Sequence, residues 1–453
     1  MTSRPATGGP QGAASGAGDP GAGRVQDVLA AACAALRPAG EADAVAGVRP
    51  AWVASPVSVP EAAATMRAAA GLDLAVVPRG SGSRLAWGLP PRRCDLVIDT
   101  SGLNEVIEHA AGDWVASVQA GVRMDQLSAV LGEAGQRLSL DLPTDGRGAA
   151  QHAAGTAGGM LATGMAGPQR LRYGPPRDLL TGMTVVRADG LVARSGGKVV
   201  KNVAGYDLAK LFAGSYGTLG LIAEATFRLH PVPAAAAWIT LECPGAAEAA
   251  AAVAAAVESQ LQASAVEVDR AAPGAPVRVG VLLEGSNSDG VPVRVAGMLD
   301  LLGTGAVAGS EAPAWWGRST AAPAGGTLIR IAFWSGALRS VLDAVDVAAA
   351  AGGLAAAVGG SPGAGVLYAA LDGQASPAAV ASFVTALRAT AGRAPAAGFP
   401  PARGSAVVLT APPAVRGAVD VWGPVPDAAL IRAVKDQFDP GHRMAPGRFA
   451  GGV

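Results

Sequence analysis

The sequence predicts an α+β fold arranged in two successive parts. Up to residue 233, short strand patterns alternate with amphipathic helix patterns and glycine-rich loops. At residues 230–233, His-Pro-Val-Pro, the composition changes, and long alanine-rich helical runs then alternate with apolar strand-like runs. A chain of 453 residues also exceeds one ordinary core, which favours more than one compact unit.

The first clear elements are a helix and a buried strand. Ser58 and Glu61 form a capping-box pattern, so residues 58–72 are predicted to be helical. The apolar run at residues 74–77 predicts a strand that ends at a glycine-rich loop. The next elements are strands at 95–99, 114–120 and 220–229, a helix at 124–134, and a strand pair at 179–195 turning at Asp189-Gly190.

The second part is predicted to consist of helices packed on an antiparallel sheet, over residues 238–414. The clearest patterns there are a helix at 246–261 and strands at 277–283 and 327–334. At the other end of the chain, residues 1–24 have an arginine but no apolar stretch after it. They fail as a signal peptide and predict a disordered leader.

The charge balance argues against two classes of function. The 35 basic and 35 acidic residues give a formal net charge of zero, which disfavours a dedicated nucleic-acid or membrane-surface binder. The longest weakly polar run, residues 347–360, is shorter than the ~20 residues that cross a bilayer, so no transmembrane segment is expected. We therefore expect a cytoplasmic protein that reaches a membrane only peripherally, through partners.

No metal site is predicted. Cys33, Cys94 and Cys243 are scattered without a C-x-x-C pair, so they are expected to be buried small hydrophobes. The histidines also lack metal-binding spacing; they are His109, His152, His230 and His442. Residues 167–210 have a local excess of basic side chains, which is either a solvated face or a funnel for an anionic ligand.

Three separated glycine-rich segments carry the functional signal. The first, RGSGS at 79–83, follows a strand, where successive N–H groups can hold an anion. Leu85 stands where the dinucleotide fingerprint requires a third glycine, which disfavours a Rossmann site. The others are HAAGTAGGMLATGMAGPQRLRYG at 152–174 and KNVAGYDLAKLFAGSYGTLGLI at 201–222. Each alone is explained as a tight packing loop, whereas three in order favour one large cofactor with a diphosphate and a flat ring.

This ordered set resembles the FAD-binding domain of the vanillyl-alcohol oxidase and p-cresol methylhydroxylase (PCMH) superfamily, over residues 51–233. Within it, GGKVVKNVAGYDL and the tail VDVWGPVPDAALIRAVKDQFDPGHRMAPGRF resemble the FAD-binding subunits of glycolate oxidase, especially the smaller one. The resemblance implies a two-lobed PCMH-type FAD-binding domain at 25–233 and an α+β cap or substrate domain at 234–419. It also implies a C-terminal segment, 420–453, that returns to the FAD domain.

The resemblance implies FAD contacts from all three segments. The first would wrap the diphosphate, the second would line the cofactor cleft, the third would give backbone contacts, and Pro143 would approach the flavin. The implied cofactor residues are Pro78, Arg79, Gly80, Ser81, Gly82, Ser83, Arg84, Pro143, Gly158, Gly159, Thr163, Gly164, Ala166, Gly167, Tyr216, Gly217, Thr218, Leu219, Gly220 and Ile222.

The sequence departs from the family's pattern in several places. Relatives with a covalent 8α-histidyl flavin carry histidine in the first loop, whereas Ser81, Ser83 and Arg84 stand there, so FAD is predicted to bind non-covalently. Tyr216 replaces the more usual glutamate, and Ala445 replaces asparagine. The metal-binding histidine pair of the larger glycolate oxidase subunit is missing.

The family's chemistry is hydride transfer from the α-carbon of a hydroxy acid to flavin N5, with a base for the hydroxyl and a cation for the carboxylate. Lys201, Asn202 and Tyr206 lie together in the third segment, and Arg172 lies in the second, so these four are the catalytic candidates. The alternative for each is structural, as a core aromatic or as a surface or phosphate-binding residue.

Two functions follow from the resemblance. In the first, the chain is an FAD-dependent subunit that oxidises glycolate or a related small anionic 2-hydroxy acid. It would pass electrons to a partner, within a complex that holds a second FAD subunit and an iron–sulfur subunit. In the second, it is a non-catalytic flavin-bearing or scaffolding subunit. A third hypothesis is a sugar-nucleotide reductase on the same fold. It is disfavoured by the sequence elements KNVAGYDL and APGRF.

Overall fold

The computed structural model describes residues 20–141, 155–197, 207–317, 325–393 and 404–453. The strands are β1 Leu36–Pro38, β2 Trp52–Ala54, β3 Val76–Arg79, β4 Leu96–Asp99, β5 Val106–Ala110, β6 Val115–Gln119, β7 Gln136–Arg137, β8 Leu180–Val186, β9 Val192–Gly196, β10 Leu221–Arg228, β11 His230–Pro231, β12 Ala235–Cys243, β13 Ala265–Arg270, β14 Val277–Gly285, β15 Val307–Gly309, β16 Thr327–Ala332, β17 Ala356–Ser361, β18 Val366–Leu371 and β19 Ser405–Thr410. The helices are α1 Pro20–Ala32, α2 Val59–Gly71, α3 Met124–Glu133, α4 Ala157–Thr163, α5 Arg170–Tyr173, α6 Pro176–Leu179, α7 Ala209–Phe212, α8 Ala246–Glu258, α9 Gly290–Leu302, α10 Leu338–Gly352, α11 Pro377–Ala391, α12 Pro413–Ala418 and α13 Ala428–Phe438. The predicted α+β class is confirmed.

The first lobe is a four-stranded sheet in the order β1-β2-β4-β3, with α1 and α2 packed on it. The predicted helix over 58–72 is confirmed as α2, but only half of the capping box forms. The Ser58 hydroxyl accepts the Glu61 N–H at 3.3 Å, whereas the Glu61 carboxylate accepts the Val57 and Ala34 N–H groups instead of the Ser58 N–H. Glu61 therefore also ties α2 to the end of α1. That helix begins at Pro20, five residues before the predicted start of structure at Val25.

The strand predicted at 74–77 is shifted to Val76–Arg79 and includes Pro78. Proline is tolerated there because β3 lies at the edge of its sheet, where the missing N–H removes no ladder bond. The same unpaired edge of β3 receives the C-terminal segment at Val76, since the Val76 N–H donates to the Arg443 carbonyl and the Ala445 N–H to the Val76 carbonyl, both at 2.8 Å. The end of the chain thus packs beside the strand that leads into the first glycine loop.

The second lobe is a five-stranded antiparallel sheet in the order β5-β6-β10-β8-β9. Its core includes Phe227 of β10, Leu127 of α3 and Met160 of α4, all fully buried. The strand pair predicted at 179–195 is confirmed as β8 and β9, and Gly190 in the connecting turn has φ of 78°. A side chain at this φ would be strained, which explains the Asp-Gly step.

The second part of the chain forms an eight-stranded antiparallel sheet in the order β15-β12-β14-β13-β17-β18-β16-β19, as its alternating patterns predicted. Helices α8, α9, α10 and α11 cover one face, where the buried residues include Val266, Val268, Leu367 and Ala369. The intervening residues therefore point to the other face. We call this second face the cap-sheet face.

The three cysteines are free and buried, so their prediction as small buried residues is confirmed. None of the helices in the described ranges is long and apolar enough to cross a membrane. The domain limits at 24, 233 and 419 stay predictions. Residues 1–19 of the predicted leader lie outside the described residues.

Candidate functional site

The three glycine-rich segments converge on one groove, and glycines stand where they touch. A Cβ on Gly80 of the first loop would lie 2.2 Å from Thr156 Oγ1 of the second. A Cβ on Gly217 of the third loop would lie 3.3 Å from Pro78. The second and third also meet, because a Cβ on Gly164 would lie 3.6 Å from the Gly214 Cα. Larger residues at Gly80 would hold the loops apart, so these glycines explain how separated segments build one site.

Most predicted cofactor residues lie at this groove. The groove is lined by Pro78, Arg79, Gly80, Ser81, Gly82, Ser83, Arg84, Gly159, Thr163, Tyr216 and Gly217, and an adjoining cavity by Gly158, Gly220 and Ile222. The other predicted positions in the described ranges, Gly164, Ala166, Gly167, Thr218 and Leu219, are absent from both linings. Gly167 has a packing reason of its own, since its Cβ would lie 2.0 Å from the Asp141 carbonyl.

Several predicted residues are not brought to the groove. Pro143, Lys201, Asn202 and Tyr206 lie outside the described residues. Arg172 is exposed on α5, where its guanidinium donates to Ser264 Oγ at 3.4 Å and lies over the Tyr173 ring at 5.6 Å. The described part of the chain therefore places Arg172 on the surface beside the start of β13, away from the groove lining.

Arg79 is in the first loop, but two carboxylates hold its guanidinium. Its Nη1 donates to Asp43 Oδ1 at 2.8 Å and its Nη2 to Asp99 Oδ2 at 2.7 Å. The hydrogen bond from Arg37, followed by that from Arg79, holds the pKa of Asp43 well below its usual range. Because these carboxylates balance its charge, Arg79 anchors the start of the first glycine loop.

Tyr216 has a strained backbone and an unsatisfied hydroxyl. Its φ is 57°, in the left-handed region where residues other than glycine are uncommon. Its ring packs against Trp422 and Phe449, with centroid distances of 5.3 and 5.8 Å. Its hydroxyl is buried without a hydrogen-bond partner among the described residues. Burial raises the pKa of Tyr216, so the hydroxyl is neutral at physiological pH and can donate a hydrogen bond.

The cap-sheet face lies over this groove. Leu328, Tyr368 and Val407 of that face form one buried cluster with Trp87, which follows the first glycine loop, and Met165, which lies in the second glycine-rich segment. Tyr216 packs against this cluster. Tyr368 is paired with Arg330 on the neighbouring strand β16. The sequence prediction missed these residues, because it expected a cap or substrate domain after residue 233 but named no site residue in it. A period-two alternation such as Leu328-Ile-Arg-Ile331 does indicate a second face, although it does not reveal what covers that face.

A buried ion pair also joins the cap sheet to the second lobe. Arg137 of β7 donates to both carboxylate oxygens of Glu284 on β14, at 2.7 and 3.0 Å. Gln169, in the segment before α5, adds a bond to Glu284 at 3.4 Å. The two-point geometry of the guanidinium restricts how the sheet sits over the second lobe, which positions the cap-sheet face.

Comparison with known proteins identifies the cofactor. The family model described as an FAD binding domain matches residues 50–196. These residues are therefore similar to an FAD-binding domain. The groove fits this cofactor, because its glycines leave the backbone accessible and Tyr216 supplies an unpaired buried donor. The predicted cofactor, FAD, is therefore confirmed.

Curated relatives match between a third and two fifths of the chain. Glycolate oxidase subunit GlcD of Bacillus subtilis is 39% identical over 159 residues, which cover 35% of this chain and 32% of the relative. Glycolate oxidase subunit GlcE of Escherichia coli is 35% identical over 160 residues, covering 35% and 43%. D-lactate dehydrogenase of Archaeoglobus fulgidus is 36% identical over 179 residues, covering 40% and 38%. Each match therefore spans less than half of the relative.

Solved structures extend the likeness to nearly the whole chain. p-Cresol methylhydroxylase with substrate bound has a TM-score of 0.70 at 16% identity and covers 97% of this chain and 98% of its own. Alkyldihydroxyacetonephosphate synthase has a TM-score of 0.63 at 19% identity, covering 88% and 77%. The predicted PCMH-type fold is confirmed, and at these identities the likeness concerns the fold alone.

The first loop predicts that acid precipitation will release all of the FAD. Among the described residues lining the groove there is no histidine that could carry an 8α bond, and Ser81, Ser83 and Arg84 are not nucleophiles of that kind. The measurement is the flavin absorbance of the supernatant after precipitation. Yellow colour retained in the washed pellet would show a covalent link.

Proposed function

We propose that this chain is an FAD-dependent oxidoreductase subunit that oxidises a small anionic 2-hydroxy acid and passes the electrons to a partner. The observation that carries the proposal is the position of the groove. The three FAD loops open against the cap-sheet face, where Tyr216 packs among Tyr368 and Leu328. A small substrate held between loops and sheet would lie beside the cofactor and away from bulk water.

The names of the relatives support the substrate class. They are glycolate oxidase subunits, D-lactate dehydrogenases and D-2-hydroxyglutarate dehydrogenases, whose named substrates each carry a hydroxyl next to a carboxylate. By the same analogy, the two glycolate oxidase names support a complex of several subunits. An iron–sulfur subunit remains our expectation for the electron acceptor.

Bound FAD would supply the two-electron acceptor for the α-hydrogen of the substrate. The chain's own residues must then bind the carboxylate, hold the α-carbon in place and accept the hydroxyl proton. Arg84 and Arg448 line the groove and suit the first task. Tyr206, Lys201 and Asn202 stay candidates for binding the substrate, and Tyr206 or Lys201 for accepting the hydroxyl proton, because an asparagine amide is not a base.

A second candidate is a flavin-bearing subunit without its own turnover. Among the described residues that line the groove there is neither a carboxylate nor an imidazole, so no general base is evident there. In that case catalysis on a hydroxy acid would depend on a partner subunit, and this chain would relay electrons or support the complex.

Anaerobic mixing with glycolate or D-lactate separates the two candidates. We expect the flavin absorbance of the purified chain alone to bleach, because electrons leave the hydroxy acid and have no other acceptor. Methyl glycolate, which lacks the carboxylate charge, is the matched control and should leave the band unchanged. Bleaching that needs a partner subunit would favour the second candidate. A flavin that dithionite reduces but no 2-hydroxy acid reduces, with or without partners, would contradict the proposed substrate class.

A further inference from the structure

Arg448 is a buried cation at the wall of the cofactor groove. It is 3% exposed, and its Nη2 donates to the carbonyls of Leu85 and Trp87, both at 2.8 Å. Its Nε has no hydrogen-bond partner among the described residues. Burial lowers the pKa of Arg448 to about 10, and no carboxylate acts on it to offset this cost. The guanidinium remains charged at physiological pH.

Arg84 brings a second cation to the same wall. Its side chain is half-buried and lines the groove together with Arg448 and Tyr216. Its guanidinium lies 5.7 Å from the centre of the Trp87 ring, and burial lowers the pKa of Arg84. Tyr216, which lines the groove with it, and Tyr368 of the cap-sheet face both act on the pKa of Arg84.

Some other arginines at least partly buried in the described ranges have their charge balanced by a carboxylate. Arg79 is held by Asp43 and Asp99, and Arg137 is held by Glu284. By contrast, within the described ranges Arg84 and Arg448 form no ion pair with a carboxylate. Removing a charge from water without an opposite charge is costly. An anionic group bound beside these two guanidinium groups would offset that cost.

The Tyr216 hydroxyl completes the set of donors. It is buried and has no partner among the described residues, and Arg84 and Arg448 are among the charges that act on it. Arg330 of the cap-sheet face is a further cation within range of this hydroxyl. A carboxylate offers about four acceptor positions, which matches two guanidinium groups and one hydroxyl.

We propose that Arg84, Arg448 and the Tyr216 hydroxyl form the binding site for the carboxylate of the substrate, at the cap-facing wall of the cofactor groove. This assignment rests on the proposed function for the identity of the anion. It differs from the resemblance, which implied that Arg84 wraps the FAD diphosphate. The exposed Ser81 and Ser83, with their loop backbone, remain for the diphosphate.

The test uses oxalate, a dicarboxylate that has no α-hydrogen and cannot be oxidised by hydride loss. Oxalate binding is measured by calorimetry on the flavin-loaded chain, and flavin content is measured separately. We expect R84Q to keep its FAD and to weaken oxalate binding about 10- to 100-fold, the range for hydrogen bonds to a charged group. Y216F removes only the hydroxyl and should weaken oxalate binding several-fold. If R448Q does not fold, R84Q and Y216F still decide the outcome.

Matched variants separate charge from general effects. R84K keeps the positive charge and should retain part of the affinity, whereas R123Q, whose exposed side chain pairs with Asp125, should bind oxalate as the wild type does. Loss of FAD from R84Q with unchanged oxalate affinity in the remaining holoprotein would overturn the site and assign Arg84 to the diphosphate. Equal oxalate affinity in R84Q, Y216F and the wild type would also overturn it.

The outcomes also separate the site from the proposed function. If glycolate and D-lactate fail to bleach the flavin but oxalate binds in a way that requires Arg84, the anion site stands and the 2-hydroxy acid activity fails. If the hydroxy acids bleach the flavin equally well in R84Q, the activity stands and the site assignment fails.

Discussion

K435M is expected to lower the free energy of unfolding by about 3–5 kcal/mol, the usual cost of breaking a buried ion pair. The Lys435 side chain is 0% exposed. Its Nζ donates to the Thr218 carbonyl at 2.6 Å, to Asp439 Oδ2 at 2.7 Å and to the Met444 carbonyl at 2.8 Å. All three ammonium donors are therefore used. Methionine fills similar space but leaves the Asp439 carboxylate buried without its cation.

The same substitution should weaken FAD retention, because Lys435 links two sides of the cofactor groove. Thr218 belongs to the third glycine loop. Met444 and Ala445 run beside Val76 of β3, the strand that enters the first loop. Without the Lys435 ammonium, the third glycine loop and the C-terminal segment each lose a hydrogen bond to α13. The measurements are the thermal unfolding midpoint and the flavin-to-protein ratio after gel filtration.

The controls isolate burial as the cause. K210M removes a lysine whose partner Asp207 lies at 2.7 Å but whose side chain is 44% exposed, so its cost should stay within about 1 kcal/mol. K435M/D439N also removes the stranded charge while keeping an acceptor for the Met444 N–H, and should recover part of the loss. A K435M protein as stable as K210M would contradict the role of the buried pair.

The contacts of Lys435 are of a kind that a sequence pattern does not predict. The hairpin at Asp189-Gly190 and the helix α2 could be predicted because their signals are local: positive φ at a turn and a capping serine beside its helix. Lys435, by contrast, lies on a helix with the ordinary spacing of a surface residue. Nothing near it in the sequence indicates that the Thr218 carbonyl, more than two hundred positions earlier, accepts a hydrogen bond from it.

The candidate site likewise has one part that the sequence predicts and one part that it does not. The three glycine segments could be predicted, since close backbone approach requires glycine whatever the rest of the fold is. The position of Arg448 beside Arg84 could not be predicted, because Arg448 contacts Leu85, just after the first loop, from 363 positions away in the sequence. Glu267 illustrates the intermediate case. Its alternation with Val266 and Val268 predicts a face opposite to the helices, but burial of that face depends on another domain.

Between pH 6 and pH 8, the stability of the wild-type protein is expected to fall, and that of E267Q to fall much less. Glu267 of β13 is 2% exposed on the cap-sheet face, and Ser361 donates a hydrogen bond to its Oε1. Burial raises the pKa of Glu267 to about 8. Asp141 and Asp269 raise the pKa further, whereas Ser361 and Arg170 lower it.

The direction follows from where the proton is held. The folded carboxyl keeps its proton up to about pH 8, whereas the unfolded chain loses it near pH 4.5. Between these two pH values the folded state therefore binds one more proton than the unfolded state. The free energy of unfolding then declines as the pH rises, by up to about 1.4 kcal/mol per pH unit. Burial also raises the pKa of Asp141, to about 6, so its similar effect is confined mainly to lower pH. The interval from pH 6 to 8 thus reports on Glu267.

Thermal unfolding at pH 6, 7 and 8 compares the wild type, E267Q and E242Q. Glutamine cannot ionise, so E267Q should lose most of the slope, while E242Q, with its exposed side chain on β12, should follow the wild type. Parallel curves for the wild type and E267Q would show that Glu267 ionises without cost. Because Asp141 lies in the FAD-binding part and Glu267 in the cap sheet, a confirmed slope would report on a carboxyl that is buried where these two parts meet.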